Sequence, residues 1–399
     1  MRAVTWQGPK NMSVEEVPDP VIKEPTDAII KVTTTGLCGS DLHLYEPLSP
    51  FMTPGDVVGH EPMGIVQEVG SAVTNLKTGD RVVIPFNVSC GDCWMCNQGL
   101  MSQCETTQNR DQGTGASFFG YSKLYGQVPG GQAEYLNVPY AGFSAIKVPE
   151  GPVDDRFVFL SDVLPTAWQA VDYAGFGADS SAEGRTLLVM GAGPIGDMSA
   201  RIALHRGARV IVVDLVPERL ARVAARGAQV INLNDVGKGL GDAVRELTNG
   251  RGADAVIDAV GMEAHGSPMI EMTHKMVGMM PSAIAQPFMK KAGIDRLAAL
   301  HASFDVVRRG GTVSIIGVYG GAMDPIPMMQ LFDKQVQLRM GQANVRRWSD
   351  DILALLQQGE DVLGVESFAT HHLPLDQAPQ AYADFRDKKD GMVKVLFKP

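Results

Sequence analysis

Arg185-Thr186-Leu187-Leu188-Val189-Met190-Gly191-Ala192-Gly193-Pro194-Ile195-Gly196 is the stretch that decides the fold. Arg185 to Met190 reads as a short apolar strand, and the residues after Gly196, to about Arg206, read as a helix. A lone Gly-x-Gly-x-x-Gly is weak, but between a strand and a helix it has the context its physics demands. Glycine lets the turn close and lets a pyrophosphate approach the helix N-terminus. Asp214 ends the following strand, Val210–Asp214. A carboxylate there accepts hydrogen bonds from ribose hydroxyls and repels a 2′-phosphate, favouring NAD over NADP. Arg209 and Arg219 are the nearby cations that could weaken this preference.

Downstream, Pro217–Ala225 reads as a helix and Val230–Leu233, Ala255–Ala259 and Thr312–Ile316 as strands. Strands alternating with helices imply a doubly wound parallel sheet. The preceding 160 or so residues have a different character. Val/Ile/Thr-rich runs such as Ala28–Thr35, Gly64–Val69 and Arg81–Pro85 are separated by turns such as Lys77-Thr78-Gly79-Asp80, which suggests an irregular β-barrel. From Asn344 the sheet pattern ends; Asp350–Gln357 reads as an amphipathic helix and Gly391–Phe397 as a strand returning to the first region. The expected domains are residues 1–163, 164–343 and a C-terminal segment, 344–399. An insertion at about 262–302 is rich in methionine, with seven of the chain's 20 between Met262 and Met289. Their helical spacing suggests a face packed on the core or on another subunit, or a cover over a cofactor, and Lys290–His301 could add a helix.

The 399 residues carry 35 basic and 45 acidic side chains, a net charge of −10. That sign disfavours nucleic acid and anionic lipid as partners. The start, MRAVTWQGPK, lacks the apolar run of a secretory leader, and no run approaches membrane-spanning length, so a soluble cytoplasmic protein is expected.

All five cysteines, Cys38, Cys90, Cys93, Cys96 and Cys104, lie in the first region. Cys90-Gly-Asp-Cys93-Trp-Met-Cys96 with Cys104 brings four thiolates to one tetrahedral Zn²⁺, leaving no position for substrate. An iron–sulfur cluster fits the same thiolates, but nothing else here calls for electron transfer. The remaining cysteine sits in Gly36-Leu37-Cys38-Gly39-Ser40-Asp41-Leu42-His43, which packs a thiolate, a hydroxyl and an imidazole together. With His60 of Gly59-His60-Glu61-Pro62, Cys38 supplies two of the three protein ligands of a catalytic zinc.

These motifs (GLCGSDLH, GHEPMGIVQEVG, CGDCWMC with Cys104, and GAGPIG) resemble those of the zinc-containing medium-chain alcohol dehydrogenases over essentially the whole chain. The resemblance implies a GroES-like catalytic domain beside a Rossmann domain, two zincs per subunit, and NAD. The family's third catalytic ligand is commonly a cysteine or an acid, and the aligned position is Asp162. That departure, Gly131-Gln132-Ala133-Glu134-Tyr135 and the long insertion are similar to the glutathione-independent formaldehyde dehydrogenase branch. A carboxylate keeps the thiolate's charge but offers zinc a harder oxygen. The resemblance also implies that Glu61 is a transient zinc partner and Asp41 an orienter of His60. Ser40 would take the alcohol's proton and pass it through the cofactor ribose, and His43 would deliver it to solvent. Phe86 aligns with a substrate-pocket wall. Thr166, Gly191, Gly193, Pro194, Ile195, Gly196, Asp214, Arg219, Val260, Gly317 and Val318 align with cofactor-contacting positions.

The expected activity is hydride transfer from a small primary alcohol or hydrated aldehyde, formaldehyde included, to NAD. A polyol or secondary-alcohol dehydrogenase is the runner-up. A zinc-free quinone reductase is disfavoured by the intact ligand sets, and a non-catalytic NAD-binding structural protein leaves the relay unexplained. A homo-oligomer is expected, with a tetramer favoured over a dimer, and Val313–Val318 is a candidate for strand pairing across an interface.

Overall fold

The computed structural model describes residues 1–46, 48–261, 297–319 and 326–399. Most of the methionine-rich insertion therefore lies outside the described residues. The chain divides into two units, Met1–Pro165 with Ala343–Pro399, and Thr166–Gln342.

The second unit is a sheet in the order Gln229–Asn232, Arg209–Asp214, Thr186–Met190, Ala253–Asp258, Val307–Ile315, Gln337–Met340. Every neighbouring pair is parallel. Thr186–Met190 is buried at every position, as expected of a parallel strand covered on both faces. The strand order reverses about it, and such a reversal opens a crevice at the carboxyl ends of the strands. Leu188, Ile211, Val213, Val256 and Val313 form the core with Leu300 and Phe304 of the helix Ala298–Val306.

Several boundaries differ from the sequence reading. Leu233 opens a short helix, because the Asn232 side chain accepts from the Asn234 N–H. Of the expected helix Lys290–His301 only the end is described, and there the helix runs on to Val306. Val307–Ile315 has a partner on each side, so the proposed interface pairing of Val313–Val318 is corrected for Val313 to Ile315. Among the described residues the sheet's edges are Gln229–Asn232 and, beside Val307–Ile315, Gln337–Met340.

In the first unit the long strand Ala28–Leu37 is central, pairing antiparallel with Pro62–Val69, Tyr135–Val138 and Val395–Lys398. Its register with Pro62–Val69 shifts twice, and such irregularities bend a strand. Ile30, Val32, Val66, Val82, Ile84, Phe119 and Leu136 fill the core beneath it. The helix expected at Asp350–Gln357 begins earlier, at Val345, where Arg346 and Arg347 masked the apolar spacing of Val345 and Trp348. The last strand is Val395–Lys398, because Lys389–Gly391 forms a tight turn with Asp390 at φ 51°. Among the described residues no helix is long and apolar enough to cross a membrane.

Phe304 is 1% exposed in the second unit's core. Phe304→Ala is expected to cost about 3–5 kcal/mol through lost burial and the cavity left behind. A fall in the unfolding midpoint, followed by circular dichroism, checks this.

Candidate metal and dinucleotide sites

Cys38 directly follows the strand Ala28–Leu37, and His60 and Glu61 directly precede Pro62–Val69. The antiparallel register sets Thr35 opposite Pro62, so these residues emerge at the same end of the pair. Asp162 follows the tight turn Val158–Ser161. Cys38, His60, Glu61 and Asp162 are all buried, and one ligand atom from each lies within 4.8 Å of the others. The Asp162 Oδ2 is 3.6 Å from the Cys38 Sγ and 3.4 Å from the His60 Nε2. Tetrahedral zinc, with bonds of about 2.0–2.3 Å, separates its ligand atoms by about 3.3–3.8 Å. The donor set therefore fits zinc in spacing and in its mixture of sulfur, nitrogen and oxygen.

Ser40 Oγ donates to the Cys38 Sγ at 3.3 Å and lies 3.3 Å from the His60 Nε2, against the ligand atoms themselves. Asp41 serves both ligands: its Oδ2 accepts from the Cys38 N–H at 3.0 Å, and its Oδ1 is 3.0 Å from the His60 Nδ1. Phe86 and Tyr121 meet the His60 ring edge-on, at centroid distances of 6.4 and 6.3 Å. Burial alone would lower the pKa of His60, but Asp41 and Asp162 outweigh it and hold the value well above the ordinary histidine range. His43, expected to hand a proton to solvent, is only 6% exposed, because the helix Asp41–Tyr45 turns it inward.

In the four-cysteine lobe the Cys104 Sγ is 3.6 Å from the Cys90 Sγ and 3.9 Å from the Cys93 Sγ. Four Zn–S bonds of about 2.3 Å require separations of about 3.8 Å. Backbone N–H groups of Asp92 and Cys93 donate to the Cys90 Sγ, and that of Glu105 to the Cys93 Sγ. Burial pushes the Cys93 thiol up, but the amides of Cys96 and Glu105 outweigh it and bring the pKa to about 6. At Cys96 burial wins, and the thiol is raised.

In the second unit Gly191 has φ +92°, a conformation glycine adopts freely. A side chain on Gly196 would collide with the Gly191 carbonyl, so the turn closes only with glycine there. Pro194 and Ile195 begin the helix Pro194–His205 directly after Gly193. Asp214 ties this turn to the next loop: Oδ2 accepts from the Ala192 N–H at 2.5 Å, and Oδ1 from the Leu215 and Val216 N–H groups at 2.7 and 2.8 Å. Arg219 reaches back over the turn, its Nη1 3.8 Å from where a Gly193 side chain would begin. Arg209 does not: it binds Gln229 and the Leu247 carbonyl, at the opposite end of its strand from Asp214. Its suggested influence on the cofactor is corrected accordingly. Thr166 lies on the helix Val163–Tyr173.

Val260 and Gly317 sit at neighbouring strand ends, and Val318 is 47% exposed. Their loops are clasped by buried Asp258, which accepts from the Val260 and Gly261 N–H groups at 3.0 and 3.3 Å and from the Tyr319 hydroxyl at 2.6 Å. Sequence reasoning missed this clasp. It also missed Asp197, a buried carboxylate receiving Arg201 and Arg222, and Lys394, a buried cation beside Glu61. The signal for Lys394 was a lone lysine inside the apolar run Met392–Phe397.

Residues 24–150 match the family model of the alcohol dehydrogenase GroES-like domain, and 194–283 that of the zinc-binding dehydrogenases. An uncharacterized zinc-type alcohol dehydrogenase-like protein of Bacillus subtilis is 41% identical over 403 residues, covering 100% of both chains. The chain belongs to the zinc-containing medium-chain alcohol dehydrogenases. Within that family, a glutathione-independent formaldehyde dehydrogenase of Pseudomonas aeruginosa is 31% identical, over 96% of this chain and 94% of its own. Among solved structures, an alcohol dehydrogenase from Thermus sp. ATN1 has a TM-score of 0.82 and 33% identity, covering 100% of this chain and 99% of its own. The GroES-like and parallel-sheet folds described above are those of a zinc-containing alcohol dehydrogenase.

In the metal-free protein at pH 7, Cys93 is expected to react with iodoacetamide ahead of Cys96, because the thiolate is the nucleophile. Peptide mapping reads the order. The raised pKa of His60 sets a second expectation. A proton competes with metal for that nitrogen, so metal affinity at the Cys38 centre should rise with pH. Competitive metal titrations at several pH values check this; a pH-independent affinity contradicts it.

Proposed function

We propose that the chain oxidises a small primary alcohol or a hydrated aldehyde, formaldehyde included, with NAD as hydride acceptor. The observation that carries this reading is the convergence of Cys38, His60 and Asp162 on one point with the Ser40 hydroxyl against them. When bound there, zinc polarises the substrate oxygen as a Lewis acid, and the dinucleotide takes the hydride. Cys38, His60 and Asp162 hold that metal, and a second ion at Cys90, Cys93, Cys96 and Cys104 is structural. Ser40 accepts the substrate hydroxyl's hydrogen bond and receives its proton, and His43 takes it onward. Asp41 fixes the His60 ring, since its carboxylate is 3.0 Å from Nδ1 and leaves Nε2 to face the ligands. Phe86 contributes an apolar wall beside that imidazole.

The glycine turn, Thr166, Arg219, Val260, Gly317 and Val318 receive the dinucleotide, with Asp214 favouring NAD. A gem-diol presents a hydroxyl like an alcohol's, so the same residues serve formaldehyde hydrate, and the likeness to a formaldehyde dehydrogenase supports that choice. A polyol or secondary-alcohol dehydrogenase is the second reading, favoured by the carboxylate Asp162. The same proposal has the enzyme work in the cytoplasm as a homo-oligomer, a tetramer ahead of a dimer. The support for assembly is the edge strand Gln337–Met340, with Leu338 and Met340 exposed near the sheet's end, and the exposed Met329 and Phe332 of the helix Met328–Lys334.

An activity panel of formaldehyde, ethanol, benzyl alcohol and sorbitol with NAD and NADP, with zinc content measured alongside, tests the reading. Turnover of formaldehyde or a primary alcohol with NAD and two zincs per chain is expected; sorbitol as the best substrate favours the second reading. Asp162→Ala is expected to lose one zinc and turnover together; full metal content with normal turnover removes Asp162 from the ligand set. His43→Ala is expected to lower turnover mostly below neutral pH, with partial rescue by added base. An unchanged pH profile contradicts its place in the relay.

A further inference from the structure

We propose that Lys394 is a positioning residue that holds Glu61 off the metal and so keeps the remaining coordination position open for substrate. This rests on the reading of Cys38, His60 and Asp162 as a zinc centre. Lys394 and Glu61 are both 0% exposed. The Lys394 ammonium donates to both carboxylate oxygens of Glu61, at 2.6 Å to Oε1 and closer still to Oε2, and to the Leu37 carbonyl at 3.1 Å. Its place follows from strand register: Val395 pairs with Leu37, so the residue before it reaches the end of the strand that delivers Cys38. A Glu61 oxygen also lies within 4.8 Å of the Cys38, His60 and Asp162 ligand atoms. Two forces therefore compete for one carboxylate. Gly36 gives it standing room on the lysine's side, since any side chain there would strike the Glu61 carboxylate.

A zinc with three protein ligands retains an exchangeable position, whereas four protein ligands close it. Once the ammonium is removed, the Glu61 carboxylate is left buried and unpaired, an unfavourable state that ligation to the metal relieves. The lysine thus acts on substrate entry without touching substrate. Arginine in its place keeps the charge, and removing both charges leaves no incoming ligand.

The test compares cobalt-substituted wild-type protein with Lys394→Met, Lys394→Arg and Lys394→Met/Glu61→Gln, by visible d–d absorption and by imidazole titration of the open position. Lys394→Gln replaces Lys394→Met where the latter does not fold. Lys394→Met is expected to alter the spectrum at unchanged metal content and to weaken imidazole binding by about 10- to 100-fold. Lys394→Arg and the double variant are expected to keep the wild-type spectrum and imidazole affinity. A single variant with wild-type spectrum and affinity overturns the proposal, as does a double variant as perturbed as the single. Wild-type protein that takes up cobalt only at the four-cysteine lobe overturns the zinc reading and the proposal together.

Discussion

Four acidic groups, Cys38, Asp41, Glu61 and Asp162, are buried around one imidazole in the first unit. Negative charges cannot be crowded out of water without compensation, and much of the surrounding structure supplies it. Lys394 answers Glu61, the His60 ring lies beside Asp41 and Asp162, and a divalent cation completes the balance when bound. The bent central strand, its neighbour beginning at Pro62, and the C-terminal strand all end where these charges meet. The fold of this unit is a means of holding incompatible groups close enough to want a metal.

The second unit works with backbone instead of charge. Its turn closes because Gly191 and Gly196 have no side chains, and it is braced by carboxylates that bind amides. Asp214 receives amides from both sides of the crevice turn, and Asp258 gathers the next two loops with help from Tyr319. Both acids use these bonds to position loops at the strand ends.

Much of this was legible in the sequence, for identifiable reasons. The strand–glycine–helix run and the cysteine spacing are local patterns, and local patterns survive without a structure. Asp162 came from resemblance alone, since one aspartate among apolar residues carries no periodic signal. The partners of Lys394, Asp258 and Asp197 were harder to read: Lys394 with Glu61, Asp258 with Tyr319 and Asp197 with Arg222 are set by strand register or helix packing between separate segments, and only the local pair Asp197–Arg201 lies on one helix. The solvent-relay role of His43 came from the resemblance, and five residues of helix give no periodicity from which to judge its burial. The interface pairing suggested for Val313–Val318 does not hold for Val313 to Ile315, because Gln337–Met340, a stretch without the apolar run of its neighbours, pairs with that strand.

The first unit is assembled from both ends of the chain, with the second unit contiguous between them. On a ribosome this imposes an order of events. The glycine-turn sheet has all its strands available while the first unit still lacks the strand Val395–Lys398 and the cation before it. Cys38, His60, Glu61 and Asp162 therefore emerge before the lysine that pairs with Glu61. Until then the Glu61 carboxylate lacks its ammonium partner, so the pairing of that buried charge is among the later events in completing the first unit.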